Sequence, residues 1–291
     1  MRFYQPLTLS DVFHEVERHA DRALLAGGGT SVVLKLVQGR DLPDALVSLE
    51  RVDDPGFRTI EAREDALVIG AGVSLQSIVT SPVVARHLPA LGIACHVVGN
   101  LRVRHAATLA GSLLEGQVAA DPPTLLTALD AEGVLARSDG ERTVPIARLV
   151  NAAIGGGASE VRQGEVLTRI VIPLGTGSAH YLRVSRRSAA DRPIVSVGTR
   201  LVSTSPGAYH VSAAVGSTGP FITTARGAFS TRELDLADGA WTAQVADDPL
   251  AALDPMTDHR ASGWYRATVA RNLLAESLKT CLENLDGRHE S

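Results

Sequence analysis

The amino-acid sequence predicts an α+β fold. Short apolar runs with strand character alternate with short helical stretches, yet the long regular βαβ units of a doubly wound sheet are absent. In the second half, three strand-like runs separated by turns precede two helical stretches. Length and composition agree: 291 residues, 45% hydrophobic and 21% charged, describe a globular chain that buries a large core and splits into two or three subdomains.

Taken in order, residues 8–20 read as a helix, with Ser10 as N-cap and Val12, Phe13, Val16 and His19 near one face. Strands are expected at 22–26, 45–49 and 66–70, the last ending in Gly70-Ala-Gly72. Residues 74–80 and 82–91 read as short helices, the second opened by a proline in its first turn. Leu125, Leu126 and Leu129 have helical spacing behind Asp121, which stands at an N-cap position. Further strands are expected at 134–136, 142–145 and 166–172, and the glycine-rich run 155–159 reads as a connection. A boundary falls near Pro173-Leu-Gly-Thr-Gly177. Beyond it, 179–185, 194–203 and 209–215 read as strands, and 223–229 and 259–283 as helices. The late helix carries Val269, Leu273, Leu274, Leu278 and Cys281 roughly on one face, which makes Cys281 a core residue.

Two small-residue stretches hold the candidate chemistry. The first reads Ala26-Gly27-Gly28-Gly29-Thr30-Ser31 between apolar runs; its glycines permit positive φ and its hydroxyls donate to phosphate oxygens. It has neither the G-x-G-x-x-G spacing of a Rossmann turn nor the Lys-Ser/Thr pair of a P-loop. The second runs from Val98-Gly99-Asn-Leu-Arg-Val-Arg104 through Thr108-Leu-Ala110-Gly111-Ser112, with Asp121 beyond it. Small side chains let a ligand approach the backbone, freed N–H groups cradle phosphate, and arginine adds charge-assisted bonds. Each stretch alone also reads as a tight surface turn; two of them far apart in sequence suggest a diphosphate held between two segments.

These stretches, with Ala120-Asp-Pro-Pro-Thr-Leu-Leu-Thr-Ala-Leu-Asp-Ala131, resemble the FAD-binding medium subunit of molybdenum hydroxylases, of the CO dehydrogenase and xanthine dehydrogenase type. The resemblance continues through Tyr181-Leu-Arg183-Val-Ser-Arg186-Arg187 with Asp191, Val195-Ser-Val-Gly198, Val215-Gly-Ser-Thr-Gly-Pro220 and Trp264-Tyr265-Arg266. It implies a p-cresol methylhydroxylase-like FAD fold. A two-part FAD-binding domain would span residues 1–174, with subdomains about 1–54 and 55–174. A small C-terminal domain with a three-stranded antiparallel sheet and helices would span 178–286. It also implies that both glycine loops clasp the FAD diphosphate, that Gly99 and Arg104 flank the second, and that Asp121 binds the adenosine side. Arg183 would lie near the flavin ring, where a cation stabilises reduced flavin. In the family's Thr-x-Gly-Gly-Asn loop this chain departs twice, with Ala110 for glycine and Ser112 for asparagine.

Several classes are excluded or disfavoured. The net charge of −4 argues against a general nucleic-acid binder. No apolar run approaches membrane-spanning length, and the N-terminal residues lack a signal-peptide core, so a cytoplasmic location is expected. Cys95 and Cys281 make no disulfide framework and cannot alone hold an iron–sulfur cluster. The nine histidines show no metal-ligand spacing, so no protein-held metal is expected. No acid–base pair or nucleophile constellation stands out, so no catalytic side chain is expected and the cofactor carries the reaction. The expected role is an electron-transfer subunit whose iron–sulfur and molybdopterin centres sit in partner chains and whose electrons leave to NAD, a quinone or oxygen. The rivals are a stand-alone FAD oxidoreductase acting on a small molecule and a flavin-free scaffold or binding module.

Overall fold

A computed structural model describes residues 1–39, 43–155, 160–187, 190–205, 207–230 and 253–289. The chain opens with strand β1 (Arg2–Tyr4) and helix α1 (Leu9–His19). Thr8, not Ser10, caps α1: its hydroxyl accepts the Asp11 N–H at 3.1 Å, which leaves Ser10 inside the first turn. Val12 and Val16 are buried beneath the helix, while the His19 ring reaches the Tyr4 hydroxyl at 3.1 Å.

Strand β2 (Ala23–Ala26), helix α2 (Thr30–Val37) and strand β3 (Ala45–Ser48) make one short parallel unit. The strand order is β1-β3-β2, with Leu24 opposite Leu46 and Ala26 opposite Ser48. Strand β2 therefore delivers Gly27 at the end of a parallel sheet, where helix α2 begins. This is the place where open parallel units bind ligands.

Strands β4 (Ile60–Ala62) and β5 (Ala66–Gly70) start the second sheet. Behind β5, Gly70 and Gly72 pack on the backbone and ring of Phe57, so closely that a Cβ on either would clash. A run of short helices follows: α3 (Leu75–Val79), α4 (Pro82–His87), α5 (Pro89–His96), α6 (Leu101–Ala106) and α7 (Leu109–Leu114). The single helix expected over 82–91 is divided at Leu88, whose φ of −153° and ψ of 64° break the helix before Pro89 starts the next. Helix α8 (Asp121–Ala128) then runs entirely buried. Its N-cap is Ala120, and Asp121 is the first helical residue, with no capping bond from a side chain.

Strands β6 (Glu132–Arg137) and β7 (Gly140–Pro145), helix α9 (Ile146–Gly155) and strand β8 (Val166–Pro173) complete an antiparallel sheet ordered β4-β5-β8-β6-β7. Gly155 ends α9; residues 156–159 of the expected connection lie outside the described residues.

Four antiparallel strands form the last sheet, ordered β12-β11-β10-β9: β9 (Gly177–Ser185), β10 (Pro193–Ser205), β11 (Ala208–Gly216) and β12 (Thr223–Ser230). The three expected strands are present, and a fourth stands at 223–230, where a helix is expected from the sequence. There Ala225 is buried and Thr224 and Arg226 are exposed, an alternation of period two. Small side chains in this stretch make that alternation faint in the sequence. Helix α10 (Gly263–His289) covers one face, with Leu273, Leu274, Leu278 and Cys281 buried as expected and Val269 partly so. The other face meets α8 through glycines: a Cβ on Gly198 would stand 2.8 Å from the Leu125 Cα, and one on Gly216 would stand 2.2 Å from the Thr124 hydroxyl. Helix α8 is thus sandwiched between the two halves of the chain. Among the described residues, no helix is long and apolar enough to cross a membrane.

Candidate functional site

The two glycine loops touch. A Cβ on Gly28 would stand 1.8 Å from the Ala106 carbonyl oxygen, and one on Gly27 would stand 2.7 Å from the Thr108 hydroxyl. Backbone therefore lies directly on backbone, which only glycine permits. Gly29 has φ of +70° and serves as N-cap of α2 without a side chain to satisfy the helix N–H groups. Among the described residues, and apart from its own chain neighbours, no heavy atom lies within 4 Å of where its Cβ would stand. The start of α2, carrying the Thr30 and Ser31 hydroxyls, therefore faces open space with the positive end of its dipole uncapped.

The partner loop is held by its own bonds. Asn100 caps α6 through the Val103 N–H, and Thr108 caps α7 through the Gly111 N–H at 3.1 Å. The Leu75 N–H donates to the Ala107 carbonyl and the Leu109 N–H to the Val73 carbonyl, which pins the α6–α7 turn to the segment joining β5 to α3. Ser112 turns its hydroxyl back onto the Thr108 carbonyl.

Between the loops lies a cleft of about 830 Å³, a size suited to a large organic ligand. Its walls include Ala26, Gly27, Gly28, Gly29, Thr30, Ser31, Gly99, Thr108, Gly111, Ser112 and Asp121. The sequence-expected residues therefore share one cleft, except for Arg104 and Arg183, which are not among the lining residues. The Arg104 guanidinium is instead committed to the Gln76 side chain at 3.0 Å and the His96 carbonyl at 2.9 Å, tying α3 to the turn before α6. Arg183 reaches the Asp121 carboxylate at 3.2 Å, the Val97 carbonyl at 3.3 Å and the Asp191 carbonyl. Ala110 also lines the cleft, at the position where the resembling family has glycine.

Asp121 is 4% exposed and accepts the Tyr181 hydroxyl at 2.5 Å as well as Arg183. Burial pushes its carboxyl up to about 6; the Arg183 charge and the Tyr181 hydrogen bond offset part of that rise. Burial likewise pushes the Tyr181 hydroxyl well above its usual range, so it remains the donor. Residue types alone give no sign of this pairing, because Tyr181 and Asp121 are sixty residues apart in sequence. Arg58 and Arg192 are further cleft residues that escape sequence reasoning. Arg58 is spent on the Leu49, Glu50, Val52 and Gly72 carbonyls, and Arg192 on Glu115 and Gln117.

The donor set fits a nucleotide cofactor with a diphosphate. An uncapped helix start beside two hydroxyls suits phosphate oxygens, and a carboxylate on the same wall suits sugar hydroxyls. Comparison with known proteins points the same way. Residues 1–175 match the family described as the FAD binding domain in molybdopterin dehydrogenase. The chain is similar to the glyceraldehyde dehydrogenase medium chain of Sulfolobus acidocaldarius, at 25% identity over 285 residues, covering 94% of this chain and 95% of that one. It is also similar to the carbon monoxide dehydrogenase medium chain of Hydrogenophaga pseudoflava, at 26% identity over 268 residues, covering 89% and 88%. Its fold matches a chain of quinoline 2-oxidoreductase from Pseudomonas putida 86 with a TM-score of 0.82 and 23% identity, over 98% of both chains.

Proposed function

The chain belongs to the family of FAD-binding domains in molybdopterin dehydrogenases, and on that premise we propose that it relays electrons inside a multi-subunit molybdenum hydroxylase. It is the FAD-binding subunit of an oxidoreductase of this family. The finer reading is that electrons from an iron–sulfur partner chain reduce its FAD and leave to NAD, a quinone or oxygen, while a molybdopterin partner oxidises the substrate. Supporting it, relatives that match along most of the chain are named as medium chains of dehydrogenases. We assign the FAD-binding domain to 1–174 and the smaller domain to 178–286, and place the assembly in the cytoplasm.

The observation that carries this reading is the meeting of the uncapped α2 start, the Thr108–Ser112 loop and Asp121 on one cleft. Bound FAD supplies the electron-accepting and electron-donating chemistry. The protein's part is to bind and orient. The Thr30 and Ser31 hydroxyls and the N–H groups of the α2 start donate to the diphosphate. Ser112, where the family has an asparagine, lines the cleft with its hydroxyl donated to the Thr108 carbonyl. Asp121 accepts from ribose hydroxyls. Arg104 positions the Gly99 turn from behind, through Gln76 and His96.

The test is an absorption spectrum of the purified chain. Oxidised flavin near stoichiometric occupancy is expected, either as isolated or after FAD is added and excess removed. A chain that stays colourless after FAD addition rejects the flavin reading and leaves a scaffold or binding module.

A further inference from the structure

The carboxylate on the cleft wall is gripped from the other half of the chain. Asp121 begins α8, and both side chains that hold it, Tyr181 and Arg183, come from β9 of the four-stranded sheet. They point the same way because they are two apart on the strand. Tyr181 pairs across the ladder with Gly198 and Arg183 with Ser196. Gly198 lets the sheet lie against α8, and the Ser196 hydroxyl meets the Thr124 hydroxyl at 3.0 Å one helical turn below Asp121. Thr124 in turn donates to the Ala120 carbonyl at 3.1 Å. Helix start, sheet and carboxylate thus form one buried polar cluster, and Asp121 is its member on the cleft wall.

We propose that Tyr181 and Arg183 are positioning residues for FAD: they hold the Asp121 carboxylate in one rotamer at the cleft wall, so that flavin affinity depends on the second sheet. The inference rests on the reading of the cleft as the FAD site. A buried carboxylate with nothing to hold it takes up a proton or turns away, and in either case stops accepting from a ligand hydroxyl. Tyr181 opposes both: it donates to one oxygen and, with Arg183, favours the charged carboxylate in a fixed orientation at the cleft wall. Arg183 supplies the compensating charge, and its own bonds to the Val97 and Asp191 carbonyls fix where that charge stands. Among the described residues, the ionisable groups that face Asp121 also include Cys95 of α5, a buried thiol, and Arg192 beyond β9.

The experiment is a double-mutant cycle on the full chain, read as the FAD dissociation constant from flavin fluorescence across pH 5 to 8. Tyr181→Phe is expected to weaken FAD binding about tenfold at neutral pH, the size of a lost hydrogen bond to a charged group. The pH at which affinity falls should also move upward, because the phenylalanine no longer favours the charged carboxylate. In an Asp121→Ala background Tyr181→Phe should cost nothing further, since the two residues act as one unit. Tyr209→Phe, a buried tyrosine of the same sheet, controls for general loosening and should leave affinity unchanged. Wild-type affinity and an unmoved pH midpoint in Tyr181→Phe overturn the inference, as does an equal loss in the Asp121→Ala background. A wild-type chain that binds no FAD overturns the flavin reading and this inference with it.

Discussion

Asp121 shows how one side chain carries opposing demands. Burial raises its carboxyl to about 6 from a usual value of 3.8, so the folded chain holds that proton more tightly than the unfolded chain. Between those two values the folded state binds the extra proton, and stability without ligand therefore falls as pH rises from about 4 to about 6. The FAD interaction runs the other way, since a protonated carboxyl accepts less well and affinity falls as pH drops through about 6. Asp121→Asn keeps the shape and removes the titration. Its ligand-free thermal melts should lose the decline over that window, on the order of 3 kcal/mol for a shift of this size. The same variant should bind FAD more weakly at pH 7. Melts that keep the wild-type decline would show that another group causes it. Asp121 was legible in the sequence as a carboxylate after a glycine loop, and Gly27 to Ser31 as a small-residue turn. Two features were not legible: the close approach of Gly28 to Ala106, and the grip of Tyr181 on Asp121. Both are contacts between distant segments, and no local pattern encodes which residue faces which.

Among the elements, α10 depends on one buried ion cluster more than on the number of its charges. Arg266 is fully buried and donates to the Ile194 carbonyl at 2.7 Å, to the Ser217 carbonyl and to Asp258 at 2.7 Å. It ties the first turns of the helix to β10 and to the turn after β11. Burial alone would raise Asp258, but the N–H groups of Arg260 and Ala261 and the side chains of Arg260 and Arg266 outweigh it and hold the carboxyl well below its usual range. Arg266→Ala should therefore destabilise the chain by about 3–5 kcal/mol in urea unfolding, because it leaves buried acceptors unsatisfied. Arg169→Ala, which breaks a pair with the exposed Glu141, should cost less than about 1 kcal/mol. Equal losses in the two variants would mean that burial does not set the value of these contacts. The long helix was legible because its apolar stripe repeats over many turns. The strand at 223–230 looks helical in the sequence because its eight residues, Thr-Thr-Ala-Arg-Gly-Ala-Phe-Ser, hold too few large apolar positions to separate a period of two from one of 3.6. Residues 82–96 were harder to divide, since proline opens a helix as readily as it ends one.

At the scale of the molecule, two hydrophobic cores lie on opposite faces of the four-stranded sheet, one containing α8 and the other α10, and the cleft opens at the start of α8. Tyr181 and Ala214 of the last sheet belong to the first core, so the halves share packing as well as the polar cluster at Asp121. The α+β class was legible from element lengths alone. The fourth strand and the sheet's closeness to α8 were not, because nothing local in the sequence says which helix lies against Gly198 and Gly216. The cleft wall contains hydroxyls, glycines, His105 and the carboxyl side chains Glu50, Glu115, Asp121 and Asp191, and its arginines are largely spent on backbone carbonyls and neighbouring side chains. Glu115 is paired with Arg192 and Asp191 accepts the Arg187 N–H, so these carboxylates are tied to the wall, which suits the holding of a cofactor. In the proposed assembly the oxidation of the organic substrate takes place elsewhere and reaches this chain as electrons. The isolated, FAD-loaded chain should therefore stay oxidised when mixed with a purine, an aldehyde or CO. Co-expressed with its partner chains, it should copurify with them, and its flavin absorbance should bleach when the substrate of the assembled complex is added. Rapid bleaching of the isolated chain by a small organic molecule would reverse the assignment, making the chain an oxidoreductase in its own right with a substrate site inside the same cleft.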